Sequence, residues 1–112
     1  MKLSELINKQ TKWEYDRGIV NGNHGIDRIQ VELDEARDEP DLHKRLIEMA
    51  DVIIIATGSV GALLTELDLT AQDFESLLMA KMAQNNRKYP VQVFQNMSPD
   101  EAIQYCRDRW GG

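Results

Sequence analysis

The sequence contains a single cysteine, Cys106, among its 112 residues. One cysteine cannot form an intrachain disulfide or a cysteine-based zinc site, and its scarcity fits a reducing compartment. Positive charge is also in short supply, because 13 lysines and arginines stand against 19 aspartates and glutamates, for a net charge of −6. An acidic chain lacks the basic surface that general nucleic-acid binding requires, so we expect no nucleic-acid partner.

Long apolar runs and targeting signals are missing as well. The most apolar stretch, residues 52–64, is about 13 residues long and is interrupted by glycine and hydroxyl residues, whereas a bilayer span needs about 20. The first residues carry lysine and glutamate and no apolar signal core. We therefore expect a cytoplasmic protein without a membrane segment.

Strand patterns are scarce, and apolar residues recur at helical spacing instead. We predict an all-α single domain over residues 1–112. About five helices are expected: over residues 3–17, over 26–38, from an N-cap at Asp41 to about 64–66, from an N-cap at Thr70 to just before Pro90, and from Ser98 to about 110. Three glycines and two asparagines within residues 18–25 predict a loop there.

The third predicted helix has an unusual middle, residues 52–56, that is apolar on every side. A helix of that kind is buried on every side. So short a chain can hardly supply all of the cover, so we predict a homo-oligomer, either a dimer or a tetramer, that completes the helical bundle. A central helix in a monomeric bundle is the alternative.

Two acidic pairs flank core-facing positions of the second and third helices. Glu32 and Glu35 are three residues apart, as are Glu48 and Asp51, so each pair projects to one side of its helix. In an antiparallel hairpin the pairs can meet, and a divalent cation would remove their repulsion. Hard oxygen ligands suit Mg²⁺ or Mn²⁺, which predicts a metal–phosphate site. Solvated helix acids are the alternative in so acidic a chain.

The fourth helix carries polar residues that continue its apolar face. These are Lys81, Asn85 and Lys88, and their spacing predicts that they point inward. A cation and an amide near metal-binding acids would suit a triphosphate. A lysine lying along the surface is the alternative for Lys81.

Taken in order, these motifs resemble the MazG-like all-α nucleoside triphosphate pyrophosphatases over about residues 26–90. The resemblance rests on an E-x-x-E pair, a spacer of about a dozen residues, an E-x-x-D pair and a K-x-x-x-N-x-x-K-Y-P ending. In this chain they read Glu32-x-x-Glu35, Glu48-x-x-Asp51 and Lys81-x-x-x-Asn85-x-x-Lys88-Tyr89-Pro90. The small size, the region around Trp13 and the ending are most similar to the phage-type dATP/dGTP diphosphohydrolases.

The resemblance implies hydrolysis of a nucleoside triphosphate, here a purine deoxynucleotide such as dGTP or dATP, between the α and β phosphates. It implies two or more Mg²⁺ or Mn²⁺ ions held by the four acids, with Glu32 or Glu35 also activating the attacking water. Lys81, Asn85 and Lys88 would hold the departing pyrophosphate. It also implies homodimers or dimers of dimers, and a host cytoplasm if the protein is phage-encoded.

Recognition of the base has weaker signals. Gln10 and Trp13 lie three apart on the first helix, where an amide can read a base edge and an indole can stack on the ring. Trp13 as a core anchor is the equal alternative. Asn21, Asn23 and His24 are further candidates in the predicted loop.

Two other classes of protein compete with this interpretation. A ferritin-like di-metal redox protein needs Glu-x-x-His pairs, and neither His24 nor His43 follows a glutamate by three. A non-enzymatic helical dimerisation or interaction module would explain the apolar helix and the charge. It would not explain an inward-pointing Lys81 and Asn85.

Overall fold

The computed structural model describes residues 1–19, 22–88 and 90–110, and within these it is all-helical, without a strand. The side chains of residues 22–24 and 110 lie outside this description. The predicted all-α class is therefore confirmed. The helices are α1 (Leu3–Tyr15), α2 (Gly22–Asp38), α3 (Leu42–Leu67), α4 (Ala71–Lys88), α5 (Val91–Phe94) and α6 (Pro99–Trp110).

Helix capping follows the sequence closely. The Asp41 carboxylate accepts a hydrogen bond from the Lys44 amide at 3.0 Å, so it caps α3 as predicted. Thr70 and Asp73 form a reciprocal capping box at the start of α4, with N···O distances of 2.8 and 3.1 Å. Ser98 and Glu101 form the same motif before α6, with both distances 3.2 Å. Short-range hydrogen bonds of this kind are readable from sequence because both partners lie within one turn.

Two elements differ from the sequence prediction. Helix α2 begins at Gly22, inside the predicted loop, and α5 is an additional short helix. Gly25 lies against Ser59 of α3 so closely that a methyl group at Gly25 would overlap the Ser59 hydroxyl. Gly25, one of the three glycines that predicted a loop, is thus a site of close packing between α2 and α3. This tertiary contact overrides the weak helix propensity of glycine.

The chain divides into two compact units, Met1–Ser76 and Leu77–Gly112. In the first unit α1 packs antiparallel to α3, since Thr11 lies against Gly61 and Glu14 against Gly58. The core between them contains Ile7, which is 1% exposed, together with Leu3, Val60, Leu64, Ala71 and Phe74. In the second unit Phe94 contacts Tyr105 edge to face, with ring centroids 5.2 Å apart.

The N-terminal end of α1 is held by a residue from α4. The buried Ser4 amide donates to the Glu75 carboxylate at 2.7 Å, whereas Lys2 at the N-cap makes no side-chain capping bond. We expect Glu75→Ala to lower the free energy of unfolding by about 1–2 kcal/mol, the usual cost of losing a capping acceptor. Urea unfolding would measure this loss. Glu75→Gln keeps an acceptor oxygen, and an equal loss in that variant would contradict the role of the hydrogen bond.

Helix α3 has 26 residues and is, by length and composition alone, apolar enough to cross a membrane. The core helix of a water-soluble protein has the same composition, so the absence of a membrane segment stays a prediction. Within one chain, residues 52–56 in the middle of α3 are not buried on every side, although their composition predicts that they are. Val52 and Ile55 are buried, but Ile53 is 54% and Ile54 40% exposed. That a second copy of the chain covers these side chains stays a prediction.

Candidate functional site

The site lies on a hairpin formed by α2 and α3, whose turn contains Pro40. Arg45 closes this turn by donating from Nε and from a terminal nitrogen to the Glu39 carbonyl at 2.9 and 2.6 Å. The two helices are antiparallel, because Gly25 near the start of α2 contacts Ser59 late in α3. Glu32, later in α2, accordingly faces an earlier part of α3. The hairpin thus has the orientation that the meeting of the two acidic pairs requires.

Three of the four predicted acids converge on this hairpin. Glu32, Glu48 and Asp51 each place a carboxylate oxygen within 4.8 Å of the other two. Glu32 and Glu48 are half-buried, whereas Asp51 is exposed. We call these three residues the acid triad. Its geometry follows from spacing, since residues three apart on α3 present both carboxylates to the same side of the hairpin.

Burial and mutual repulsion both act on the triad. The pKa of Glu32 is raised, first by desolvation and then by the neighbouring carboxylates of Glu35, Asp51 and Glu48. The pKa of Glu48 is raised by desolvation and by Glu35, Asp51 and Glu39. Every one of these influences disfavours the charged form. The site therefore concentrates negative charge. None of the groups that shift the pKa values of Glu32 and Glu48 is a cation that would offset this charge.

Glu35, the fourth predicted acid, lies outside the triad but acts on it. It is exposed on α2. Even so, its negative charge raises the pKa of both Glu32 and Glu48. Glu35 therefore acts electrostatically on the triad without being one of its converging carboxylates.

The donor set fits a hard divalent cation. Glu32 Oε2 is buried and has no hydrogen-bond partner, and a buried carboxylate oxygen in that state is costly unless something charged or hydrogen-bonding contacts it. Carboxylate oxygens are the ligands that Mg²⁺ and Mn²⁺ prefer, and several oxygens within 4.8 Å of one another can share an ion. A cation at this point would supply the missing partner and neutralise the repulsion.

The predicted substrate residues of α4 do not point into a core. Lys81 is exposed, and its ammonium group donates to Gln84 Oε1 at 3.1 Å. Asn85 is also exposed, and Lys88 is half-buried. The inward orientation predicted for Lys81 and Asn85 is therefore wrong within a single chain, because helical spacing shows which residues share a face but not whether anything covers that face. Tyr89 of the same motif lies outside the described residues.

On α1, Gln10 is half-buried and Trp13 is 44% exposed. The Arg17 guanidinium lies 4.0 Å from the centroid of the Trp13 ring. Trp13 is therefore not a core anchor of this chain, and the Arg17 guanidinium lies over one face of its indole ring. Asn21 and the side chains of Asn23 and His24 lie outside the described residues.

Sequence reasoning missed an ion pair between α1 and α2. Arg28 lies one helical turn before Glu32 on α2, and its Nη1 lies 3.2 Å from Glu14 Oε1 on α1. Glu14 is only 5% exposed, and its carboxylate fills the space next to Gly58 where a side chain would otherwise lie. The i, i+4 spacing of Arg28 and Glu32 is visible in the sequence. The partner on α1 is not, because it depends on how the helices pack.

In comparisons with known proteins, no family model, no curated protein and no solved structure matches the chain. The function proposed below therefore rests on the site and on the motif resemblance.

Proposed function

We propose that this protein is a MazG-like nucleoside triphosphate pyrophosphohydrolase. Its reaction would be hydrolysis of a purine deoxynucleoside triphosphate, such as dGTP or dATP, to the monophosphate and pyrophosphate. The observation that carries the proposal is the acid triad, with the buried Glu32 oxygen that lacks a hydrogen-bond partner. The order and spacing of the acidic pairs and the α4 motif support the same class.

In this mechanism Glu32, Glu48 and Asp51, together with Glu35, would hold two or more Mg²⁺ or Mn²⁺ ions. When bound, such ions polarise a phosphoryl group and make bound water more acidic. Either Glu32 or Glu35 would accept the proton of the attacking water. Lys81, Asn85 and Lys88 donate to the departing pyrophosphate.

Attack at the α-phosphorus is favoured over attack at the γ-phosphorus. The sequence has no glycine-rich loop of the G-x-x-x-x-G-K type, which enzymes of γ-phosphoryl transfer use to cradle the phosphates. The test is a panel of the eight common ribo- and deoxyribonucleoside triphosphates with Mg²⁺ or Mn²⁺, run in ¹⁸O-water. We expect label in the monophosphate. Label only in pyrophosphate would mean attack at the β-phosphorus, and orthophosphate as the first product would overturn the enzyme class.

The role of Lys81 gives a quantitative expectation. One charge-assisted contact contributes roughly 1.5–3 kcal/mol, so Lys81→Ala should lower kcat/KM by about 10- to 100-fold without changing the bond that breaks. Steady-state kinetics with product chromatography would measure both quantities. Lys9→Ala, an exposed lysine on α1, is the control and should stay near wild type. Equal activities of the two variants would remove Lys81 from the site.

We further propose that the enzyme is a homodimer or homotetramer in the cytoplasm. Its support is the exposed apolar surface of α3, including Ile53, Ile54 and Leu63. Since Ile54 is 40% exposed in the single chain, Ile54→Asp should break the oligomer while leaving the protomer folded. Sedimentation with circular dichroism would show this as a smaller, still helical species. A wild-type monomer at micromolar concentration would contradict the proposal.

The same exposed surface favours one alternative function, a non-enzymatic helical dimerisation or interaction module. The nucleotide panel distinguishes the two proposals, because they predict different reaction products. A module of that kind would oligomerise normally and release no monophosphate from any of the triphosphates, with or without metal.

A further inference from the structure

The Glu14–Arg28 ion pair has features that a purely structural pair does not need. Arg28 is the basic residue of α2 that lies one turn, about 6 Å along the helix axis, from Glu32 of the acid triad. Its side chain is 29% exposed, whereas that of Glu14 is 7% exposed. Glu14 is thus the buried member of the pair, and Arg28 is the member with the more exposed side chain.

The packing around Glu14 fixes where that guanidinium lies. Glu14 extends into the space that Gly58 leaves open on α3, and a methyl group at Gly58 would overlap its carboxylate. Helix α3 also carries Glu48 and Asp51 two to three turns earlier. Gly58, Glu14 and Arg28 therefore link α3, α1 and α2, and Glu14 holds the Arg28 guanidinium in place. A guanidinium has five N–H donors in a planar fork, so a carboxylate bound at Nη1 leaves capacity for a second anion.

We propose that Arg28, held by Glu14, binds a phosphate group of the nucleotide whose metal-binding end lies at the acid triad. This inference rests on the proposed function and adds a substrate-binding residue to it. A polyphosphate anchored at the triad extends over several ångströms. This length is comparable to the one helical turn that separates the backbones of Glu32 and Arg28 on α2. Arginine matches phosphate geometry through two parallel N–H donors, so a single well-placed residue can bind one phosphate group. Glu14 is then a positioning residue.

The test must separate phosphate binding from stability, because Arg28→Met alone leaves a buried, unpaired Glu14. We therefore compare wild type, Arg28→Lys and the double variant Glu14→Gln with Arg28→Met, which removes the pair without stranding a charge. Each is titrated with inorganic tripolyphosphate in the presence of Mn²⁺ by calorimetry, and with dGMP as the ligand that lacks the polyphosphate. Melting temperatures are recorded in parallel.

We expect the double variant to melt near wild type but to bind tripolyphosphate about 10- to 100-fold more weakly. Arg28→Lys, which keeps a cation, should recover most of the affinity, and dGMP binding should change less than tripolyphosphate binding. Wild-type affinity for tripolyphosphate in the double variant would overturn the inference and leave the pair purely structural. A loss for dGMP without a loss for tripolyphosphate would also overturn it, by placing Arg28 at the nucleoside monophosphate instead of the polyphosphate.

Failure of the proposed function gives a different result. If wild type binds no tripolyphosphate with Mn²⁺ and hydrolyses no nucleotide, both proposals fail together. If wild type does both and the double variant matches it, only the role of Arg28 fails. Gly58→Ala supplies an independent check, because it displaces Glu14 without touching either charge. It should weaken tripolyphosphate binding more than Gly61→Ala, which displaces Thr11 instead.

Discussion

Glu32→Gln should have two opposite effects: near-complete loss of hydrolysis and a more stable metal-free protein. General-base catalysis contributes about 10²–10⁴-fold, and Glu32 is also a proposed metal ligand, so we expect kcat/KM to fall at least about 10³-fold. The gain in stability has a separate cause. The neutral amide removes one charge from a cluster in which burial and neighbouring carboxylates already raise the pKa of Glu32.

Kinetics and thermal unfolding in a chelating buffer measure these two effects on the same samples. Each kcal/mol of relieved repulsion should raise the melting temperature by about 4–8 °C for a domain of this size. Glu5→Gln, an exposed acid on α1, is the matched control and should change neither quantity. A Glu32→Gln variant that stays active, or one that melts well below wild type without metal, would contradict the proposed site.

A rise in pH should lower the stability of the metal-free protein, whereas added metal should raise its stability. Because the pKa values of Glu32 and Glu48 are raised in the folded state, the folded protein holds these protons more tightly than the unfolded chain does. Their contribution to stability is fully present below the ordinary glutamate pKa of 4.5 and is lost as the pH rises through the raised values. The contribution of these two groups to the stability of metal-free protein should therefore fall as the pH rises above 4.5.

Added Mn²⁺ or Mg²⁺ should reverse this trend, because the ions bind the ionised carboxylates. At a concentration 100 times the dissociation constant, a ligand adds about 2.7 kcal/mol to folding, which corresponds to a rise in melting temperature on the order of 10 °C. The rise should grow with pH and should shrink in Glu48→Gln. Melting curves at several pH values, with and without metal and nucleotide, would test this. A wild-type curve that millimolar Mn²⁺ leaves unmoved in the presence of nucleotide would rule against a metal site.

The sequence predicts best those features whose partners are close along the chain. Asp41 and Thr70 cap the helices expected of them, since the donor and acceptor lie within one turn. The meeting of Glu32 with Glu48 and Asp51 was also predictable, because a short hairpin leaves few ways to pair two amphipathic helices. These features follow from periodicity and turn position alone.

Other features depend on packing that the sequence does not encode locally. Gly25 has a poor intrinsic preference for helix, and only its contact with Ser59 shows why α2 includes it. The pairing of Glu14 with Arg28 links residues on different helices, and no short motif marks it. Lys81 illustrates the opposite case. Helical spacing predicts which residues share a face of α4, but it does not predict whether another surface covers that face, and Lys81 is exposed. In each case the missing information is which surface lies opposite.

The close contact of Gly25 with Ser59 has a consequence for the acid triad some distance away. Gly25 precedes Glu32 by seven residues, about 10 Å along α2, so it sets the axial register of α2 against α3. A slip of one turn would shift the helices by about 5.4 Å, which exceeds the 4.8 Å within which the three carboxylate oxygens lie. The close approach that Gly25 permits thus fixes the distance between the carboxylates of α2 and α3, so the geometry of the acid triad depends on a residue without a side chain.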